Sequence, residues 1–264
     1  VGHKAVMDNR CVFDPRAVRL HRDRAAARIG LVADLLTDCA VRLLDRLDDT
    51  SRKFRAALDL GGRGSVALAL RARGIQTVSC DVSPRMAGLC RPGVAADPEY
   101  LPFAPASFDL IVASASLHWV NDLPGALIQL RRALTPDGLL LASLPALGTL
   151  AELRTALTEA EASLTGGAAP RVSPYPDLRD CAGLLQRAGF ASPVADIQEI
   201  EFLYRSPLRA LHDLRAAGET NATNARDKGI PPRNLFPLAL SLLPRQDGRA
   251  RLTLRLAVMT GWAA

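Results

Sequence analysis

Between Ala56 and Leu144, short apolar runs alternate with helix-like stretches, and this alternation constrains the fold more than any other feature of the chain. Ala56–Leu60, Gln76–Cys80, the weaker Gly93–Ala96 and Phe108–Ser114 read as strands. Between them, Ala67–Ala72 suits a helix, and Pro84–Cys90 suits a short one with Ser83 as N-cap and Pro84 in its first turn. Leu123, Leu127, Leu130 and Leu134 form the buried stripe of a further helix, which Asp122 can cap. Asp137-Gly138 predicts a turn before a strand over Leu139–Leu144. Strands and helices in this order wind a mostly parallel sheet with crossover helices on both faces.

The flanks are less regular. Ala17–Leu47 carries a loose helical stripe with a break near Gly30. Thr149-Leu150-Ala151-Glu152 has capping-box spacing and opens a helix with Leu150, Leu153, Leu157, Ala160 and Leu164 on one face. Gly166-Gly167 ends it. Asp177 caps a helix through Leu178, Cys181, Leu185 and Ala188, and Gly189 stops it. Val194–Tyr204 alternates like a strand with some phase slip, and Leu252–Val258 alternates again and can pair antiparallel with it. The chain therefore divides into an N-terminal helical segment, 1–55, and a domain over 56–264 with a helical insertion at about 205–250.

The net charge of +6 rests almost wholly on arginine, since Lys4, Lys53 and Lys228 are the only lysines. Acidic residues lie among the basic ones without a tight basic block, so a nucleic-acid partner is not expected. No uncharged apolar run approaches the roughly 18–20 residues that cross a bilayer. Val1–Phe13 lacks the apolar core of a secretory signal. Cys11, Cys39, Cys80, Cys90 and Cys181 contain no Cys-x-x-Cys pair, which argues against a disulfide framework or a zinc site and for a reducing compartment. The cytoplasm of a bacterium is the expected location, with the mitochondrial matrix as the alternative.

Ligands of such sheets bind beyond the carboxyl ends of the strands, at the switch point. Three features converge there. Asp59-Leu60-Gly61-Gly62-Arg63-Gly64 is a strand end running through a glycine turn into a helix, where a ligand can approach the backbone. Asp81, just after the second strand, can accept hydrogen bonds from both ribose hydroxyls of a nucleoside. Asp97, with Leu101 four residues on, can serve an adenine amino group and pack on the base. Each has a plain structural counterpart: an ordinary turn, a helix cap, a polar loop.

Together, their order and spacing resemble class I S-adenosylmethionine-dependent methyltransferases. The segment Ser114-Ala115-Ser116-Leu117-His118-Trp119-Val120-Asn121-Asp122-Leu123-Pro124 resembles most the mitochondrial complex I assembly factor 5 family and its bacterial relatives. It is similar, more distantly, to the malonyl-carrier-protein methyltransferases of biotin synthesis. Val12-Phe13-Asp14, the stretch His21–Ala26, Gly218-Glu219-Thr220-Asn221 and Gly261-Trp262 extend the likeness over nearly the whole chain. The resemblance implies a Rossmann-like class I methyltransferase fold, with a mostly parallel seven-stranded sheet and an antiparallel last strand. It implies S-adenosyl-L-methionine as cofactor, with Asp59, Gly61, Gly62 and Gly64 at its methionine side, Asp81 at the ribose, and Asp97 and Leu101 at the adenine. Met86 and Ser114 complete the expected lining. Mitochondrial members are associated with hydroxylation of an arginine in a complex I subunit.

Two departures from the family pattern stand out. The usual loop reads Asp-x-Gly-x-Gly-x-Gly, whereas Gly61 and Gly62 are adjacent here. After the fifth strand the family tends to have Gly-Gly-Asp-Thr-Leu, and this chain has Ala146-Leu147-Gly148-Thr149-Leu150.

His118 is the candidate reacting group, since an imidazole can take a proton from a nucleophile near neutral pH. Trp119 is a candidate pocket wall, and Glu219, Asn221, Asn224 and Arg226 fall in a segment that can cover a substrate. The leading expectation is a methyltransferase acting on a protein, such as a respiratory-complex subunit, or on a small molecule. The alternatives are protein-arginine hydroxylation during complex I assembly, and a non-catalytic binding or assembly protein that keeps the fold. Hydroxylation requires oxygen and electrons, and none of His3, His21, His118 and His212 has helical metal-ligand spacing with another ligand.

Overall fold

A computed structural model describes residues 11–263; most of the stretch read for a signal sequence lies outside them. Five strands form in the order the alternation predicts: β1 (Ala56–Leu60), β2 (Gln76–Asp81), β3 (Gly93–Ala95), β4 (Phe108–Ser114) and β5 (Leu134–Pro145). They are followed by β6 (Phe190–Tyr204), β7 (Arg245–Gln246) and β8 (Arg249–Ala263). The sheet runs β3-β2-β1-β4-β5-β8-β6, with the two-residue β7 pairing only with β8. The β1–β2, β1–β4, β2–β3 and β4–β5 pairs are parallel, and β8 is antiparallel to both β5 and β6. The expected seven-stranded sheet with an antiparallel last strand is thus present, with β7 as a small addition.

The helices are α1 (Pro15–Ala26), α2 (Ala33–Leu44), α3 (Ser65–Ala72), α4 (Pro84–Ala87), α5 (Leu123–Ala133), α6 (Ala151–Thr165), α7 (Leu178–Arg187), α8 (Pro207–Ala217) and α9 (Leu235–Leu242). Strand periodicity explains how they clothe the sheet. In β4, Leu110 and Val112 face one core with Leu43 and Leu44 of α2 and Leu70 of α3. Ile111 and Ala113 face the other, with Leu127 and Leu130 of α5 and Leu185 of α7. α6 and α9 build a third cluster from Leu153, Leu157, Leu235 and Ala239 against Leu252 of β8. Among the described residues no helix is long and apolar enough to cross a membrane.

Local signals mostly act as expected. Ser83 accepts from the Met86 amide, Asp122 from Gly125 and Asp177 from Arg179, each capping its helix. The predicted break near Gly30 is a 3₁₀ turn over Ile29–Val32. The phase slip in β6 is a register shift between Ala191 and Val194.

Two expectations need correction. Asp137-Gly138 does not precede the fifth strand but lies inside it: Leu134 already pairs with Phe108, and the ladder shifts register before Leu139. Thr149-Leu150-Ala151-Glu152 is not a capping box. The N-cap of α6 is Leu150, with no side-chain cap, because Thr149 donates its hydroxyl to the Arg255 carbonyl and Glu152 accepts from Thr253. Antiparallel strand β8 outcompetes the local reciprocal bonds for these side chains.

Candidate cofactor and acceptor site

The glycine turn leaves β1 at Gly61, where φ is +100°. A side chain there is excluded twice over. The conformation strains any L-residue, and a Cβ would stand 2.3 Å from the Ser116 Cβ. Ser116 is fixed in that place by its hydroxyl, which donates to the Leu60 carbonyl at 2.9 Å. The turn is therefore packed against the loop that follows β4.

Beside it runs a narrow cleft of about 50 Å³. Gly61, Asp81 and Asp97 line it, together with Arg22, Glu99 and Trp119. Three expected residues thus meet at the carboxyl ends of β1, β2 and β3. Asp81 is buried; one carboxylate oxygen accepts from the Ser83 amide at 2.8 Å, which starts the turn into α4. Burial raises its pKa against the lowering influence of Arg22. Asp97 similarly accepts from the Glu99 amide at 2.9 Å. Both aspartates therefore shape their own turns and also line the cleft.

The other expected lining residues lie elsewhere. Met86 is fully buried and packs on Ala25 and Ala26 beneath α1, so it is a docking residue for that helix. Leu101 packs against the main core. Gly62 lies over the end of β2, and Gly64 is the N-cap of α3. Asp59, with Ser114 and Arg63, borders a separate and smaller crevice. Burial, with Asp81 nearby, lifts the Asp59 carboxyl to about 7.

Arg63 turns inward from the glycine turn, and only 6% of its side chain is exposed. Its Nη2 donates to the Ser114 carbonyl at 3.1 Å and to that of Ala115, and its Nη1 pairs with Glu219 Oε1 at 2.9 Å. These carbonyls end β4, so the guanidinium fills the methionine side of the expected cofactor site.

Glu219 follows α8 and gathers three donors. Besides Arg63, it accepts from Trp119 Nε1 at 2.9 Å and from His118 Nε2 at 2.7 Å, both on Oε2. Burial works against its charge, but His118, Arg63 and Arg22 together hold its pKa well below the usual carboxylate range. Burial depresses the pKa of His118 in spite of Glu219. A neutral imidazole that donates through Nε2 leaves Nδ1 as an acceptor, and this atom is buried without a partner among the described residues. With its side chain 1% exposed, His118 lines neither cavity. It sits behind Glu219 with its ring centroid 6.4 Å from that of Tyr175.

On the far side of Glu219 opens a larger cavity of about 460 Å³. Leu153, Leu157 and Phe236 give it apolar walls, while Tyr175, Arg171 and Glu219 bring polar groups to it. Asn221 and Arg226 also border it, as expected for a substrate cover. Asn224 is instead spent on the backbone, donating to the Cys11 and Phe13 carbonyls. Glu219 thus stands between the two spaces.

Arg63 and Arg22 lie in segments that the sequence singles out, the glycine turn and His21–Ala26, but neither is legible there as a buried charge of the site. Glu219 was marked by the Gly218-Glu219-Thr220-Asn221 string, but nothing local indicated its union with His118 and Trp119.

Known proteins resemble this chain in sequence and in fold. The family described as "Methyltransferase domain" matches residues 58–142. The arginine-hydroxylase NDUFAF5, mitochondrial, of Danio rerio is 33% identical, over 95% of this chain and 82% of that protein. The malonyl-acyl-carrier-protein O-methyltransferase of Methylovorus sp. is 32% identical, over 95% of this chain and 90% of its own. The crystal structure of YcgJ from Bacillus subtilis superposes with a TM-score of 0.56 at 16% identity, over 84% of this chain and 97% of its own, and shares the fold. The chain therefore belongs to the methyltransferase family that holds the NDUFAF5 proteins and the malonyl-acyl-carrier-protein O-methyltransferases.

Proposed function

We propose that this protein is an S-adenosylmethionine-dependent methyltransferase whose nucleoside lies at the mouth of β1, β2 and β3. The observation that carries the reading is the convergence of Gly61, Asp81 and Asp97 on one cleft at the switch point of the sheet. The residues fit a nucleoside: a buried carboxylate for two hydroxyls, a second carboxylate beyond it, and a glycine that admits close approach. At about 50 Å³ the cleft is narrow, with Arg22 of α1 in its wall, and Arg63 stands on the Ser114 carbonyl in the crevice beside it.

When bound, the cofactor supplies a sulfonium methyl group that an acceptor takes in a single displacement, the sulfur keeping the bonding pair. The chain's contribution is then mainly position and exclusion of water. Asp81 would hold the sugar and Trp119 wall the cleft, while Glu219 fixes the Trp119 and His118 rings by hydrogen bonds. The cavity beyond Glu219, with apolar walls and polar groups, is the acceptor space.

Titration calorimetry with S-adenosylhomocysteine tests this. Binding is expected, weakened about 10- to 100-fold by Asp81→Ala, as for loss of hydrogen bonds to a charged group. Binding that Asp81→Ala leaves unchanged removes the site assignment. No binding at millimolar ligand removes the enzyme and leaves a scaffold of the same fold.

A second reading, arginine modification of a protein partner in a respiratory complex, is favoured by the likeness to NDUFAF5 and by two carboxylates, Glu219 and Asp227, on the acceptor cavity. Mass spectrometry of candidate partner proteins separates the two, since one adds a methyl group and the other an oxygen atom. A bacterial cytoplasm suits the likeness to the carrier-protein methyltransferases, and a mitochondrial matrix that to NDUFAF5.

A further inference from the structure

The charged groups on the inner wall of the larger cavity are committed within the fold. Arg171 donates through Nε to Glu161 at 2.9 Å and stands 3.8 Å from Asp227. Arg226 pairs with Asp14 at 2.7 Å, and Glu219 accepts from Arg63, His118 and Trp119. Arg215 and His212 are exposed and also border the neighbouring surface groove, so they lie at the outer rim. Burial lowers the pKa of His21, so this wall residue adds no cation near neutral pH.

Tyr175 differs from all of these. Its ring seats in the cluster that α6 and α9 build and it lines the cavity, yet among the described residues its hydroxyl makes no hydrogen bond. Burial, with Glu219 nearby, pushes its pKa well above the usual tyrosine value, so the group stays an O–H donor. The segment that carries it is fixed on both sides. Arg154 Nη2 donates to the Ser173 carbonyl at 2.7 Å, and the Leu147 amide donates to the Pro176 carbonyl at 2.8 Å. Pro174 and Pro176 restrict the backbone between these anchors. The hydroxyl is thus a pre-positioned donor that lacks an acceptor. Around it, Leu153, Leu157, Leu211, Leu214 and Phe236 form an apolar wall. A charge brought in beside them would lose its water without gaining a free counter-ion.

We propose that this cavity takes an uncharged acceptor with an apolar body, and that Tyr175 sets its specificity by donating to a carbonyl or hydroxyl oxygen of that molecule. The proposal rests on the reading of the cavity as the acceptor space. The hydrogen bond both anchors the oxygen and discriminates, since a ligand without that oxygen leaves the phenol O–H unpaired inside the protein. The hydrocarbon body lies against the leucines of α6 and α8, which gives affinity without direction.

Octanamide, octanoate and octylammonium share an apolar chain and differ in the charge of the head group, and binding of each to the full chain provides the test. Tyr100, Tyr175 and Tyr204 are the only tyrosines, so isotope-labelled tyrosine rings report the site by NMR and Tyr175→Phe assigns the signal. Octanamide should bind about 10-fold more tightly than either ion and shift the Tyr175 signal. Tyr175→Phe, which keeps the ring and its packing, should weaken octanamide about 3- to 10-fold and leave the two ions unchanged. A Tyr175→Phe protein that weakens for all three alike, or for none, overturns the proposal. So does a parent that prefers either ion or binds none of the three, and a preference for octylammonium would point to a cationic acceptor instead. S-adenosylhomocysteine binding by the same protein is read separately. Its absence beside an intact octanamide preference overturns the transferase reading and leaves Tyr175 as the recognition residue of a binding cavity.

Discussion

Arg63 and Glu219, 156 residues apart in the chain, meet as an ion pair at 2.9 Å in the interior of the site. The pair joins the glycine turn to the segment after α8, and so links the cleft proposed for the cofactor to the cavity proposed for the acceptor. Glu219 also fixes the rings of His118 and Trp119. On the proposed reading, a ligand that displaces Arg63 also disturbs Glu219 and the two rings it holds.

Arg63→Ala should open the cleft. The affinity for S-adenosylhomocysteine is expected to rise by about tenfold, because a ligand ammonium no longer displaces a guanidinium held by charge-assisted bonds. That for 5′-methylthioadenosine should not change. Calorimetry on both ligands checks this, and equal gains for the two would contradict a plug at the amino-acid end.

Glu219→Ala should lower stability by about 3 kcal/mol, since it strands Arg63, His118 and Trp119 donors in a largely buried place. Urea denaturation measures it. Glu219→Gln keeps an acceptor but not the charge and should fall between the two. A loss under 0.5 kcal/mol, the range of a surface change, would mean that the network is not formed.

Gly61→Ala combines left-handed strain with a Cβ 2.3 Å from the Ser116 Cβ. It should cost about 2–4 kcal/mol. Adding Ser116→Gly removes the clash but not the strain, so the double variant should recover only part of the loss. Thermal unfolding of both proteins decides; full recovery would mean that the backbone tolerates alanine at φ +100°.

The Asp59 carboxyl, lifted by burial and then by Asp81 to about 7, gives a pH signature. A carboxyl raised above its unfolded value of 3.8 binds its proton more tightly in the folded chain. Its contribution is therefore fully present at low pH and is lost as pH rises from about 4 to about 7. Asp59→Asn should lose less stability over that interval than the parent, by a few kcal/mol at about 1.4 kcal/mol per pKa unit. Melting temperatures against pH for the two proteins supply the check, and parallel curves would refute it.

The sequence by itself determined the sheet, its strand order through the family resemblance, and the convergence of Gly61, Asp81 and Asp97. These follow from local regularities: period-two apolar runs, helix caps at Ser83, Asp122 and Asp177, and glycines where the chain must turn. It erred where a distant strand competes for a nearby side chain, as β8 does for Thr149 and Glu152. It also placed Met86 in a ligand pocket when α1 covers it. Only the tertiary structure decided that Arg63 turns inward, that Glu219 gathers His118 and Trp119 from 100 residues away or more, and that Arg22 is left with an unmade bond. Hydrophobic periodicity is written within one element, whereas a buried charge takes its meaning from whichever groups the folded chain sets around it.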